Sequence, residues 1–165
     1  MRLIRLLLLA AVTALVLVQA VTRGEGPGGG ETARVVRVVD GDTIVVTQGG
    51  REDRVRYIGV DTPESVKPGT PVQCFGHQAS DANDRLVAGR AVRLVEGAEP
   101  RDRYGRLLAY VYRVSDGVFV NASLVRRGFA RTLTIPPNDR FAHRFAALED
   151  EARAARRGLW ARCST

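Results

Sequence analysis

ARVVRVVDGDTIVVTQGGREDRVRYIGV, residues 33 to 60, holds three β-branched runs, 33 to 39, 42 to 47 and 51 to 60, separated by Asp-Gly and Gly-Gly turn signals. Turns this short join neighbouring antiparallel strands, so the stretch reads as a meander. From Cys74 to Val87 the period changes: Phe75, Ala79, Ala82 and Leu86 recur at 0, +4, +7 and +11, which is one helical face. RAVRLVE (90–96) and RLLAYVYRV (106–114) return to strand character and make five strands in all. VNASLVRRGFA (120–130) reads as a short helix stopped by Gly128. Phe141, Phe145, Leu148, Ala152 and Ala155 mark a longer helix, with Asn138 or Asp139 as its expected cap. Five short strands with a helix inserted after the third give an α+β chain, a five-stranded barrel of the OB type with about three flanking helices.

The chain is 165 residues long, room for one ordinary domain, and 45% apolar content is enough for a core. Its 25 basic residues exceed 18 acidic ones, and every basic residue except Lys67 is arginine. That charge suits an anionic partner, and arginine in place of lysine suits bidentate phosphate contacts. Arginine-rich genomic composition explains the same excess without a ligand. At the amino terminus Arg2 and Arg5 precede an apolar run from Leu6 to Val18, followed by Ala20. This is the pattern of a secretory signal peptide over residues 1–20, with an uncleaved anchor as the alternative. A glycine-rich linker, 21–31, follows, and the folded domain is expected over 32–165. An exported chain matures in an oxidising compartment, where Cys74 and Cys163 are expected to pair, two buried thiols being the alternative.

Three motifs carry chemistry, and each has a plainer reading. VVDGDTIVV (38–46) sets Asp40 and Asp42 around Gly41, although Asp-Gly is also a common hairpin turn. In VDTPE (60–64), Pro63 confines Thr62 to an extended conformation, which can gather Asp61, the Thr62 carbonyl and Glu64; acidic turns without a ligand have the same composition. DRYGR (102–106) brings Arg103, Tyr104 and Arg106 around Gly105, otherwise a solvated hairpin tip.

Taken together the motifs favour a site. With two histidines and two paired cysteines a transition metal has few ligands here, whereas Asp42, Asp61 and a backbone carbonyl are hard oxygen donors suited to calcium or magnesium. Arg56 lies in a run apolar on both faces, so its guanidinium needs an anion, and a phosphate beside the metal would serve.

VVDGDT, RVRYIGVDTPE, CFGHQAS, DRYGRLLAYVY, VNASLVRRGFA and GLW occur in the order and near the spacings of the thermonuclease family, which this chain resembles from Val36 to Trp160. The resemblance implies an OB-fold barrel with three helices and calcium-dependent hydrolysis of DNA and RNA that leaves 3'-phosphate ends. By motif, Asp42 and Asp61 match the family's side-chain calcium ligands and Thr62 the carbonyl ligand. Glu64 matches the catalytic glutamate, and Arg56 and Arg106 the arginines on the reacting phosphate. Asp40 corresponds to a carboxylate behind the metal ligands, and Arg103 and Tyr104 to residues near a nucleotide's terminal phosphate.

The match has gaps. Two tyrosines of the family's nucleotide site are replaced here by Thr134 and Pro136, so base stacking there is either lost or supplied by another residue. The family prototype also lacks cysteine. The expectation is an exported, monomeric, calcium-dependent nuclease with nucleic acid as its partner. Its rivals are a non-catalytic nucleic-acid-binding module on the same barrel and a membrane-held envelope protein.

Overall fold

A computed structural model describes residues 29–66, 69 and 71–163. The expected signal segment, 1–20, and most of the linker lie outside the described residues. Five strands close a barrel in the order β1 (Glu31–Val38), β2 (Thr43–Gln48), β3 (Arg51–Tyr57), β6 (Leu107–Arg113), β5 (Ala91–Arg101), with β5 returning to β1. All pairs are antiparallel except β3 with β6. The alternation of β-branched residues turns Val35, Ile44, Val46, Val55, Tyr57, Val92, Leu94, Ala109 and Val111 into the core. Helices α1 (Gly76–Val87), α2 (Val120–Arg126) and α3 (Ala142–Ala154) flank the barrel, and a single turn, α4 (Leu159–Arg162), ends the described chain. The expected α+β fold, an OB-type five-stranded barrel with three helices, is therefore observed.

The run 51 to 60 is not one strand. It breaks at Ile58, because the buried Asn121 side chain donates to the Ile58 carbonyl at 2.8 Å and Gly59 follows with φ +79°. A side chain at Gly59 would also collide with the Phe145 ring. Beyond the kink, β4 (Gly59–Asp61) leaves the barrel and pairs with β7 (Arg131–Leu133), a small second sheet that the sequence pattern did not reveal. The kink cancels simple strand parity: Ile58 and Val60 are buried while the Arg56 side chain reaches the barrel's outer surface.

Two helix starts also differ from expectation. Phe75 precedes α1 with φ +71° and stacks on Phe129, so it does not extend the helical face. Neither Asn138 nor Asp139 caps α3 through its side chain. Asn138 is buried and bonds both ways to Glu99, its Oδ1 accepting from the N–H and its Nδ2 donating to the carbonyl, each at 2.9 Å. Tertiary pairing has outcompeted capping there.

Cys74 and Cys163 form a disulfide that closes a span of 89 residues. Restricting so long a loop in the unfolded chain is worth about 4–5 kcal/mol. Cys163→Ser is therefore expected to lower the melting temperature by about 10–15 °C in circular dichroism melts. A shift below about 3 °C would show that the loop ends are held without the bond.

Candidate active site

The kink at Ile58 and the turn between β1 and β2 bring the predicted acids together. Val39 and Asp40 both donate their N–H to the Thr43 carbonyl, at 2.9 and 3.3 Å, and Asp42 N–H donates to Asp40 Oδ1 at 3.0 Å. Gly41 is required at the tip, since a Cβ there would lie 2.6 Å from Thr62 Oγ1. Behind the turn, Tyr57 OH donates to Asn83 Oδ1, and Asn83 Nδ2 donates to the Asp40 carbonyl, both at 2.9 Å. Fully buried Asn83 thus fixes the turn to α1.

Asp42 is only 4% exposed. Its Oδ2 accepts the Thr62 N–H at 2.8 Å and the Thr62 hydroxyl at 2.9 Å, and Thr43 Oγ1 donates to Oδ1 at 3.2 Å. Asp61 stands at the end of β4, half-exposed. Arg56 joins the two carboxylates, with Nε 3.2 Å from Asp42 and Nη2 3.0 Å from Asp61, while Nη1 donates to the Val60 and Tyr57 carbonyls at 2.7 and 3.1 Å. The unpaired guanidinium feared from the sequence is thus satisfied by the acids themselves.

Glu64 lies one residue beyond Pro63. Its Oε1 accepts the N–H groups of Ser65 and Val66, each at 2.9 Å. From the opposite side, Asp102 orients Arg106 by accepting its Nε–H at 2.6 Å and its backbone N–H at 3.0 Å. Burial alone would raise the Asp102 carboxyl, but these bonds outweigh it and hold the pKa below the usual range. One polar cavity of about 220 Å³ is lined by Asp40, Asp42, Thr43, Arg56, Asp61, Thr62, Pro63, Glu64 and Arg106. Arg103 and Tyr104 stand outside it. Tyr104 instead lines a neighbouring cleft with Arg54, Gly105 and the shared Arg106, and Arg103 donates to the Tyr104 hydroxyl at 2.6 Å. Thr134 and Pro136 are exposed on the segment after β7.

The electrostatics of the cavity favour a cation. Burial, reinforced by the Asp42 carboxylate, pushes Asp40 up to about 6. Asp61 is raised by burial, and Asp42 and Glu64 add to this against the opposing Arg56 charge. Among the described residues no three acidic, histidine or cysteine side chains form a ready metal cage. Asp42 and Asp61, which both line the cavity, are hard oxygen donors of the kind that suits calcium.

The raised Asp40 pKa carries a sign. Between about pH 4 and 6 the folded chain keeps a proton that the unfolded chain releases, so this group's contribution to stability falls as pH rises through that window. Above it the cost of the buried charge is constant. Asp40→Asn keeps an acceptor for Asp42 N–H and should stabilise the calcium-free protein at pH 8, by on the order of 1–3 kcal/mol, and much less at pH 4. Equal effects at both pH values in denaturant titrations would contradict the assignment.

Asp102, Asn83 and Gln73 bond directly to Arg106, Asp40 and Glu64, contacts that sequence reasoning missed. Only Asp102 left a signal, since Asp at the start of DRYGR is the residue that closes such a turn with its own side chain.

The family model described as "Staphylococcal nuclease homologue" matches residues 54–162. The thermonuclease of Staphylococcus intermedius is 41% identical over 162 residues, covering 94% of this chain and 95% of that protein. The thermonuclease of Staphylococcus hyicus is 41% identical over 130 residues, 79% of this chain and 76% of its own. Endonuclease YncB of Bacillus subtilis (strain 168) is 41% identical over 128 residues, 76% of this chain and 60% of that protein. The chain thus belongs to the staphylococcal nuclease family and is a nuclease hydrolase of the thermonuclease type.

Proposed function

We propose that the protein is an exported, calcium-dependent nuclease that hydrolyses phosphodiester bonds of DNA, RNA or both and leaves 3'-phosphate ends. The observation that supports this most is the single polar cavity shared by Asp42, Asp61, Thr62, Glu64, Arg56 and Arg106. A nucleic-acid-binding barrel needs basic residues there, but not buried acids beside them.

Glu64 is the general base and takes a proton from an attacking water. Glu64 is among the residues that line the cavity, and its Oε1 is steadied by two backbone N–H groups. Arg106 offers a planar fork to the phosphoryl oxygens, on which negative charge grows towards the transition state, and Arg56 would turn part of its guanidinium from Asp42 and Asp61 to the same oxygens once calcium neutralises those acids. Asp102 presets the Arg106 fork, so little reorganisation is needed during reaction. Asp42, Asp61 and the Thr62 carbonyl would hold calcium, which supplies a Lewis acid to the same phosphate. Tyr104, in the adjoining cleft, and Arg103, bonded to its hydroxyl, would contact a neighbouring phosphate. The loss of stacking tyrosines at Thr134 and Pro136 leaves affinity to the phosphate contacts, so binding should be strongly salt-dependent.

The reading is tested by incubating the oxidised protein with single-stranded and duplex DNA and RNA, with calcium or with chelator. Cleavage only with calcium supports it. Tight binding without cleavage under every condition would establish the binding module instead. Export is tested by amino-terminal sequencing, which should find the mature chain starting near Val21; material starting at Met1 in the membrane fraction would contradict cleavage.

A further inference from the structure

Gln73, next to the disulfide, holds the backbone of Glu64 at two points. The Glu64 N–H donates to Gln73 Oε1 and the Gln73 N–H donates to the Glu64 carbonyl, both at 2.9 Å. The start of α1 closes against the same peptide, since a Cβ on Gly76 would lie 2.5 Å from the Glu64 carbonyl oxygen. Cys74 sits between Gln73 and Phe75 and is bonded to Cys163 at the end of α4. That end is itself anchored: Leu159 is buried, its N–H donates to the Gly128 carbonyl at 2.9 Å, and Cys163 N–H donates to the Leu159 carbonyl at 2.9 Å. A cleft of about 180 Å³ beside the active cavity is lined by Asp61, Thr62 and Pro63 together with Gln73, Cys74 and Cys163. The bond therefore borders the same cleft as the segment that carries the acids.

We infer that Gln73 and the Cys74–Cys163 disulfide form a clamp that positions Glu64, so that the oxidised chain is the active form and the reduced chain is folded but slow. This rests on Glu64 being the general base. Forming the clamp joins two thiols into one S–S bond, and a disulfide oxidant such as oxidised glutathione takes up the two electrons and two protons. Gln73 is a positioning residue here and touches no reacting atom. A nuclease with this device would do little damage to nucleic acid while its thiols are reduced.

Three measurements on the full exported chain test the clamp. Reduction with dithiothreitol, followed by alkylation, should lower kcat by about 10- to 100-fold with KM nearly unchanged, the scale expected when a catalytic group shifts by about 1 Å. Circular dichroism at 25 °C identifies whether the reduced chain is still folded. Gln73→Ala, with the disulfide intact, should lose kcat by a similar factor, whereas Gln73→Glu keeps an acceptor for the Glu64 N–H and should recover most of it. In a Glu64→Gln background neither change should slow the residual rate further, because a group that acts through Glu64 has nothing left to position. Hydrogen exchange reads the clamp without activity: on reduction the Glu64 and Gln73 amides should come to exchange by local opening, at least about tenfold faster than Val55 in the barrel, whose own exchange rises only with the loss of global stability. Folded reduced protein with kcat within about twofold of the oxidised form, or Gln73→Ala with full kcat, overturns the clamp. Absence of cleavage by the oxidised parent would instead overturn the proposed function, and the exchange result would still decide whether the disulfide orders Glu64.

Discussion

Glu64→Gln is expected to hold a single-stranded oligonucleotide as tightly as the parent and to cut it slower by about 100-fold or more at saturating calcium, the scale for loss of a general base. The substitution is close to isosteric, and the amide oxygen can still accept the Ser65 and Val66 N–H groups that shape the loop. What it removes is the basic lone pair, since an amide does not take up a proton at neutral pH. Calcium binding should weaken modestly with one negative charge gone, which is why the comparison requires saturation. A rate within a few-fold of the parent would remove Glu64 from the chemistry.

Arg56→Lys is the second large effect. The guanidinium makes contacts in four directions at once, to Asp42, Asp61 and the Val60 and Tyr57 carbonyls, and still presents a charged face to the cavity. Lysine keeps the charge but has neither the reach in several directions nor the planar fork. We expect kcat to fall by about 100-fold, with a smaller change in KM, because the lost contacts matter most when charge has developed on the phosphoryl oxygens. Arg106 should behave alike, and Asp102→Asn should mimic it in weaker form by loosening the Nε contact. Near-normal turnover of Arg56→Lys would reduce the residue to a structural tie between two aspartates.

The acids and arginines of this cavity were readable because each sits at a turn or strand end whose local chemistry is unusual. Two carboxylates around a Gly, or around Thr-Pro, stand out against apolar strands. Their partners were not readable in the same way. Asn121 looks like any polar residue near a helix start, yet its contact with Ile58 across 63 residues breaks the third strand and turns β4 towards the site. Asn138 resembles a helix cap in sequence, but its buried side chain satisfies the β5 backbone instead. Such choices depend on long-range geometry, which a local pattern does not contain. The need of Arg56 for an anion was legible from a run apolar on both faces, but its route was not: the kink at Gly59 brings the Val60 carbonyl and Asp61 to its guanidinium. The short β7 left no signal, since three residues, only one of them partly buried, have no period to detect. By contrast, the disulfide was legible from compartment logic alone, although its contact with the Glu64 segment was not.

The central claim is that this cavity cuts a phosphodiester with Glu64 as base and calcium as the required ion. The most direct measurement follows binding and cleavage together, using a 5'-labelled single-stranded oligonucleotide titrated with calcium, for the parent and for Glu64→Gln. The account predicts that both proteins bind, that only the parent cuts at an appreciable rate, that chelator abolishes the cut, and that the labelled product ends in a 3'-phosphate. Binding by both proteins with no cleavage by the parent at any calcium concentration, or equal cleavage by both, would contradict it.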